Sequence, residues 1–201
     1  MRYKTLQYAD STGRVFLDEN GTGRVEIYST YEGILMGNFV NGLKDGVWKE
    51  YVPKQKITYD EIYENGKFIK GTNTSDNGEV TEYDKFETLP SFKGGMETFG
   101  KFLTKNLRYP PNARKDNIQG RVYIQFIIKK DGTLSESKIL KGIGGGCDEE
   151  ALRVINLSPD WNPGLQRGIA KNVSYSVPIF FKLSESPKKI FPYQQNPYNA
   201  F

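Results

Sequence analysis

The sequence predicts an α+β fold in two parts. Stacked β-hairpin repeats come first, then a three-stranded antiparallel or mixed sheet of order 2-1-3 with helices on one face. Three observations predict it. Asn-Gly pairs recur at 20–21, 41–42, 65–66 and 77–78. Two windows in the second half carry apolar residues at helical spacing. The last strand-like stretch, residues 172–183, has Pro178 in its middle.

Composition narrows the chemistry. The chain has 201 residues, with 13 Tyr, 12 Phe and 21 Gly, a balance that suits β-rich structure. It has no histidine, which removes the commonest general base and most zinc and copper sites. Its one cysteine, Cys147, forms no intrachain disulfide. No enzyme activity, no catalytic residue, no metal and no cofactor is expected. Residues 1–90 carry 11 Lys+Arg against 15 Asp+Glu, and residues 91–201 carry 17 against 9. The basic half has scattered cations, so no nucleic-acid partner is expected. No apolar run reaches the roughly 20 residues a membrane helix needs. Met1-Arg2-Tyr3-Lys4-Thr5 lacks the apolar core of a signal peptide. Either the protein is cytosolic, or a targeting segment or anchor lies outside this chain.

The repeat region is expected over 1–78. Asn-Gly favours a two-residue type I′ hairpin turn, because both residues accept positive φ. Between the turns, Ile57, Tyr59, Glu61 and Tyr63 alternate onto one face, as do Val47, Lys49 and Tyr51. Setting "FVNG" (39–42) over "YENG" (63–66) gives a period in the low twenties. Trp48, Tyr51, Tyr59, Tyr63 and Phe68 are expected to pack one hairpin on the next. "GNFVNGLKDGVWKEY" (37–51) with "EIYENGKFIKG" (61–71) resembles the MORN-type repeat, a resemblance that implies a spacer or binding platform. Residues 79–93 are polar and turn-rich, a linker or a last imperfect hairpin.

The second unit is expected over 94–184. Met96, Phe99, Leu103 and Leu107, with Phe102 beside them, make an amphipathic helix that Tyr109-Pro110-Pro111 stops. Val122, Ile124, Phe126 and Ile128 alternate in a strand, and Asp131-Gly132 turns it back into a hairpin. "GIGGGCDEEALRVINL" is a loop running into a helix. Asp148, Glu149 and Glu150 suit the positive end of its dipole, and Ala151, Leu152, Val154 and Ile155 face inward. The loop lacks the Lys-Ser/Thr of a phosphate cradle, and its acids oppose an anion. Cys147 reads as a small packed residue.

The final strand sets Val173, Tyr175, Val177, Ile179, Phe181 and Leu183 on one face and Ser174, Ser176, Pro178, Phe180 and Lys182 on the other. Proline has no N–H for a ladder, so this strand belongs at an edge. An exposed edge invites an added strand. Residues 185–201 form a flexible Pro- and aromatic-rich tail that could fold back over that edge.

The order Tyr109-Pro110, Ala113-Arg114, Gly120-x-Val122, Phe126, Asp131-Gly132, Asp148-Glu149-Glu150-Ala151, Trp161-x-Pro163-Gly164 and Val177-Pro178-Ile179-x-Phe181 resembles the TonB C-terminal domain. "PSFKGGMETFGKFLTKNLRYP" resembles the preface of Bacteroidetes-type versions. The resemblance implies a periplasmic domain of the Gram-negative envelope. Such a domain binds the TonB box of an outer-membrane transporter by strand addition, coupling it to an inner-membrane proton-driven motor. Carried over by position, the partner-binding residues are Asn106, Leu107, Arg108 and Tyr109, with Asn172, Val173, Ser174, Tyr175, Ser176, Val177, Pro178, Ile179 and Phe180. The membrane helix and Pro-rich spacer typical of such proteins are not in this chain, so a signal peptide or anchor is expected outside it. A second expectation is a periplasmic scaffold that homodimerises through the last strand without energy transduction.

Overall fold

The computed structural model describes residues 14–29 and 33–183, so the tail expected at 185–201 lies outside the described residues. The chain divides into two compact units. One is Met1–Glu87 with Gln166–Ile169; the other is Thr88–Leu165 with Ala170–Phe201.

The first unit is an antiparallel seven-stranded sheet in sequence order: β1 (Arg14–Leu17), β2 (Gly23–Ser29), β3 (Gly33–Val40), β4 (Leu43–Val52), β5 (Ile57–Glu64), β6 (Lys67–Ser75) and β7 (Val80–Tyr83). The turns come in two kinds. At Asn41-Gly42 (φ 51° and 76°) and Asn65-Gly66 (φ 49° and 79°) both residues are left-handed, as a type I′ turn requires. At 20–21 and 77–78 only the glycine has positive φ. Those loops are longer. The Asp18 carboxylate accepts from the N–H groups of Asn20 (2.9 Å) and Thr22 (2.8 Å), and Gly21 N–H donates to Asp18 O (3.0 Å). A local side-chain bond thus overrides the two-residue turn. Neighbouring hairpin ends are tied together, with Gly42 N–H donating to Gly21 O (3.0 Å) and Gly66 N–H to Lys44 O (2.8 Å).

Val25, Trp48, Tyr59, Tyr63 and Tyr83 are buried. The pairs Trp48↔Glu61 and Glu50↔Tyr59 set one face of the sheet. Tyr51 pairs with Thr58 and lies on the other face, against the expectation that it joins the Trp48 cluster. The period of two decides this: Trp48 and Tyr51 are an odd number of residues apart. Gly37 lies under the Trp48 indole, where a Cβ would come within 2.2 Å of Cδ2. The stretch expected as linker or imperfect hairpin holds β7, which pairs with β6 through Gly71↔Tyr83. Its residues at 80–82 are exposed, and only Tyr83 is buried, so the strand reads as polar in sequence.

Short strands β8 (Glu87–Thr88) and β9 (Ser91–Phe92) follow. The second unit then runs through α1 (Gly95–Asn106), α2 (Pro111–Lys115), β10 (Gly120–Ile128), β11 (Leu134–Lys141), α3 (Cys147–Asn156), β12 (Trp161–Asn162), β13 (Gly164–Gln166), β14 (Ile169–Lys171) and β15 (Val173–Phe181). Pro111 stops nothing further; it opens α2 from the first helical turn, where a missing N–H costs no bond. At the β10–β11 turn only Gly132 is left-handed (φ 86°), and its N–H donates to Lys129 O (2.9 Å). This is again a longer turn than Asp131-Gly132 alone would give.

The unit's main sheet has the order β11-β10-β15, antiparallel throughout. Val122, Ile124, Phe126 and Ile128 from β10 and Val177, Ile179 and Phe181 from β15 share one core with Phe99 and Leu103 of α1 and with Ala151, Val154 and Ile155 of α3. Within α3, Val154 is fully buried and Leu152 only partly, because the buried stripe advances by three and four from Ala151. Trp161 is fully buried, with Phe92, Phe99, Phe126 and Tyr175 all within 5.5 Å centroid to centroid.

Candidate functional site

β15 takes its place from register. Gly120↔Phe181 through Ile128↔Val173 pair it with β10 along its whole length, and Pro178 sits opposite Tyr123. Among the described residues nothing pairs with its other side, so β15 is an edge strand. The side chains of Tyr175, Val177 and Ile179 are committed to the core, and Val173 packs partly inward. Ser174 is exposed, and Ser176 and Phe180 are half-buried. Pro178, expected on the face away from Val177 and Ile179, is buried beside half-buried Tyr123 directly opposite it. What the edge offers a partner is therefore main-chain N–H and C=O groups. Asn172 precedes the strand and is already used: its side-chain carbonyl accepts from Lys130 N–H at 3.0 Å, pinning the β10–β11 turn.

Asn106 to Tyr109 leave the end of α1 through a clamp. Glu150 and Arg153 of α3 form a two-pronged ion pair, Nε to Oε2 and Nη2 to Oε1, each 2.7 Å. Glu150 Oε1 also accepts from Arg108 N–H (2.6 Å), and Arg153 Nη2 donates to Asn106 O (2.7 Å). The bond to Arg153 holds the Glu150 carboxyl below its ordinary range, and the Arg108 amide adds to this against the effect of burial. Leu107 N–H closes the helix on Leu103 O. The Tyr109 hydroxyl donates to Ile118 O (2.6 Å), and its ring meets Phe181 edge-on at 5.7 Å. Arg108, Tyr109, Pro110, Glu149, Glu150 and Arg153 line an open hollow of about 520 Å³. The structure thus brings Asn106–Tyr109 to the Phe181 end of β15. Asn172 lies at the opposite end of the strand, about 30 Å away at the usual rise per residue.

In the glycine loop before α3 two amides are already taken. Asp148 accepts from Ile143 N–H (2.8 Å) and Gly144 N–H (3.2 Å), so the chain's own carboxylate occupies the turn. Cys147 is fully buried, and burial, then Asp148 and Glu149, push its thiol up. Among the described residues no group of three or more metal-ligating side chains occurs, and no helix is long and apolar enough to cross a membrane.

One cluster escapes sequence reading. Gln166–Ile169 belong to the first unit, and Arg167 there meets Glu50 and Glu61. Glu61 is 3% exposed. No sequence signal joins residues more than 100 positions apart; a positive φ at Arg167 before Gly168 marks only a tight turn.

No curated protein and no solved structure gives a match to this chain. Residues 105–183, the stretch that contains the Tyr109 segment, the β11-β10-β15 sheet and α3, match the family model of the Gram-negative bacterial TonB protein C-terminal, a non-enzymatic interaction domain of the Gram-negative envelope.

Proposed function

We propose that residues 94–184 capture an extended segment of an outer-membrane transporter, its TonB box, as a fourth strand on the outer edge of β15. The observation that carries this is that, among the described residues, β15 pairs on one side alone. Each main-chain bond of an added strand contributes about 0.5–1.5 kcal/mol net, so a short segment binds reversibly. The Asn106–Tyr109 segment, held by Glu150 and Arg153 beside Phe181, forms a second contact at one end of that edge. The protein acts in the periplasm, in energy-dependent transport powered by an inner-membrane proton-driven motor. The seven-stranded sheet, whose sequence resembles MORN-type repeats, takes the place of a spacer, and the TonB-like unit is of the Bacteroidetes type.

An isotope-labelled NMR titration of the full chain with TonB-box peptides tests this. Amide shifts along Val173–Val177, at Ile179 and Phe180, and at Arg108 and Tyr109 are expected at millimolar peptide. No shifts there would sink the docking reading. Edge amides protected from exchange without peptide, together with a dimer by light scattering, would replace it with an edge-strand homodimer acting as a scaffold.

A further inference from the structure

The arginine at the tip of the β13–β14 hairpin is bound as a ligand is bound. Its guanidinium sends Nε to Glu61 Oε1 (2.7 Å) and Nη1 to Glu50 Oε2 (2.6 Å). Its Cζ lies 3.5 Å from the centroid of Tyr59, so the planar cation stacks on that ring. Its backbone is held too: Arg167 N–H donates to Phe86 O (2.7 Å), and Arg167 O accepts from Asn73 Nδ2 (2.7 Å). Gly168 (φ 76°) has no room for a Cβ, which would fall 2.9 Å from Asn73 Nδ2.

The Glu61 carboxylate has partners besides the arginine. Glu61 accepts from the hydroxyls of Tyr63 (2.9 Å) and Tyr83 (2.7 Å). Burial, then the bond to Glu61, pushes both phenols up, so they stay protonated donors. These two tyrosines sit on β5 and β7, and Glu50 sits on β4, all fixed by the sheet's register. Removing the arginine side chain would leave a buried, oriented carboxylate beside the Tyr59 ring, with Lys44, over the Trp48 and Tyr63 rings, as a neighbouring cation.

We propose that Glu50, Tyr59, Glu61 and Asn73 form a recognition site for an Arg-Gly turn of a peptide, and that Arg167-Gly168 occupies it in cis as a competing internal ligand. The specification comes from the contacts: two carboxylates for a fork of N–H donors, a ring for a planar cation, an amide for the arginine's carbonyl, and no space after it for a side chain. An internal ligand acts at high effective concentration, so an outside peptide is excluded while Arg167 is seated. Release of the turn would open the site to an arginine-bearing partner, and the acidic balance of residues 1–90 favours a basic one.

The test is thermal unfolding of the full chain as wild type, R167A and R167A/E61Q, with N-acetyl-arginylglycine amide at millimolar concentration. A saturable rise in Tm of several degrees is expected for R167A, with none for wild type or the double variant. N-acetyl-arginylalanine amide and N-acetyl-lysylglycine amide are expected to give smaller rises. The proposal is overturned if R167A does not respond, or if the lysyl peptide acts equally well. The first result would mean that Lys44, whose ammonium lies 4.8 Å from the Tyr63 ring, turns to neutralise Glu61 instead. Should R167A not fold, R167K replaces it, since one ammonium cannot copy the two-carboxylate fork. Added arginylglycine peptide must then raise its Tm; no rise in R167K overturns the proposal as well.

Discussion

Tyr109 and Phe181 meet edge-on at 5.7 Å, joining the segment that ends the first helix to the last residue of the final strand. They are 72 positions apart in sequence. Tyr109 also spans to Ile118 O through its hydroxyl. Tyr109→Phe keeps the ring contact and loses one hydrogen bond, at about 1 kcal/mol. Tyr109→Ala loses both and costs about 2–4 kcal/mol, toward the low end because the ring is half-buried. Urea denaturation of the two variants separates ring from hydroxyl.

The Glu150 clamp makes a pH prediction. The folded carboxyl lies below its unfolded value of about 4.3. A depressed carboxylate contributes stability that is complete above the unfolded pKa and lost as pH falls through the folded one. Glu150→Gln should therefore be less stable than wild type at neutral pH, with the gap shrinking below about pH 4. Urea midpoints measured across that range check it, and a gap that widens in acid would contradict the clamp.

Cys147 should be silent toward Ellman's reagent in the native state. It is fully buried, and its thiol is pushed up by burial and by the acids beside it. Its rate of labelling should follow the unfolded fraction as urea is raised. Fast labelling in native buffer would mean that α3 frays from its first residue.

Gly37→Ala should destabilise the first unit by about 1–3 kcal/mol, because a Cβ meets the Trp48 indole and the ring cannot lie across the strand. Gly71→Ala is expected to act the same way under Tyr83, where a Cβ would come within 2.5 Å of Cζ. Thermal melts read by near-UV circular dichroism report both. Gly42→Ala, with open space at its Cβ but φ 76°, tests backbone strain alone.

The sequence by itself determined what depends on neighbours along the chain. Asn41-Gly42 and Asn65-Gly66 turn because both residues accept left-handed backbone. α1 and α3 form because their apolar residues recur at helical spacing. Pro178 restricts β15 to an edge because it carries no N–H, and that is a covalent fact. Tertiary structure decided the rest. It decided that Gln166–Ile169 join the first unit and that Tyr109 meets Phe181 across 72 positions. Glu61 is buried with Tyr63 from its own strand and with Tyr83 and Arg167, which reach it from 22 and 106 positions away. Such a cluster leaves no local pattern: burying a charge is unfavourable until its partners arrive, and they arrive only when the chain has folded.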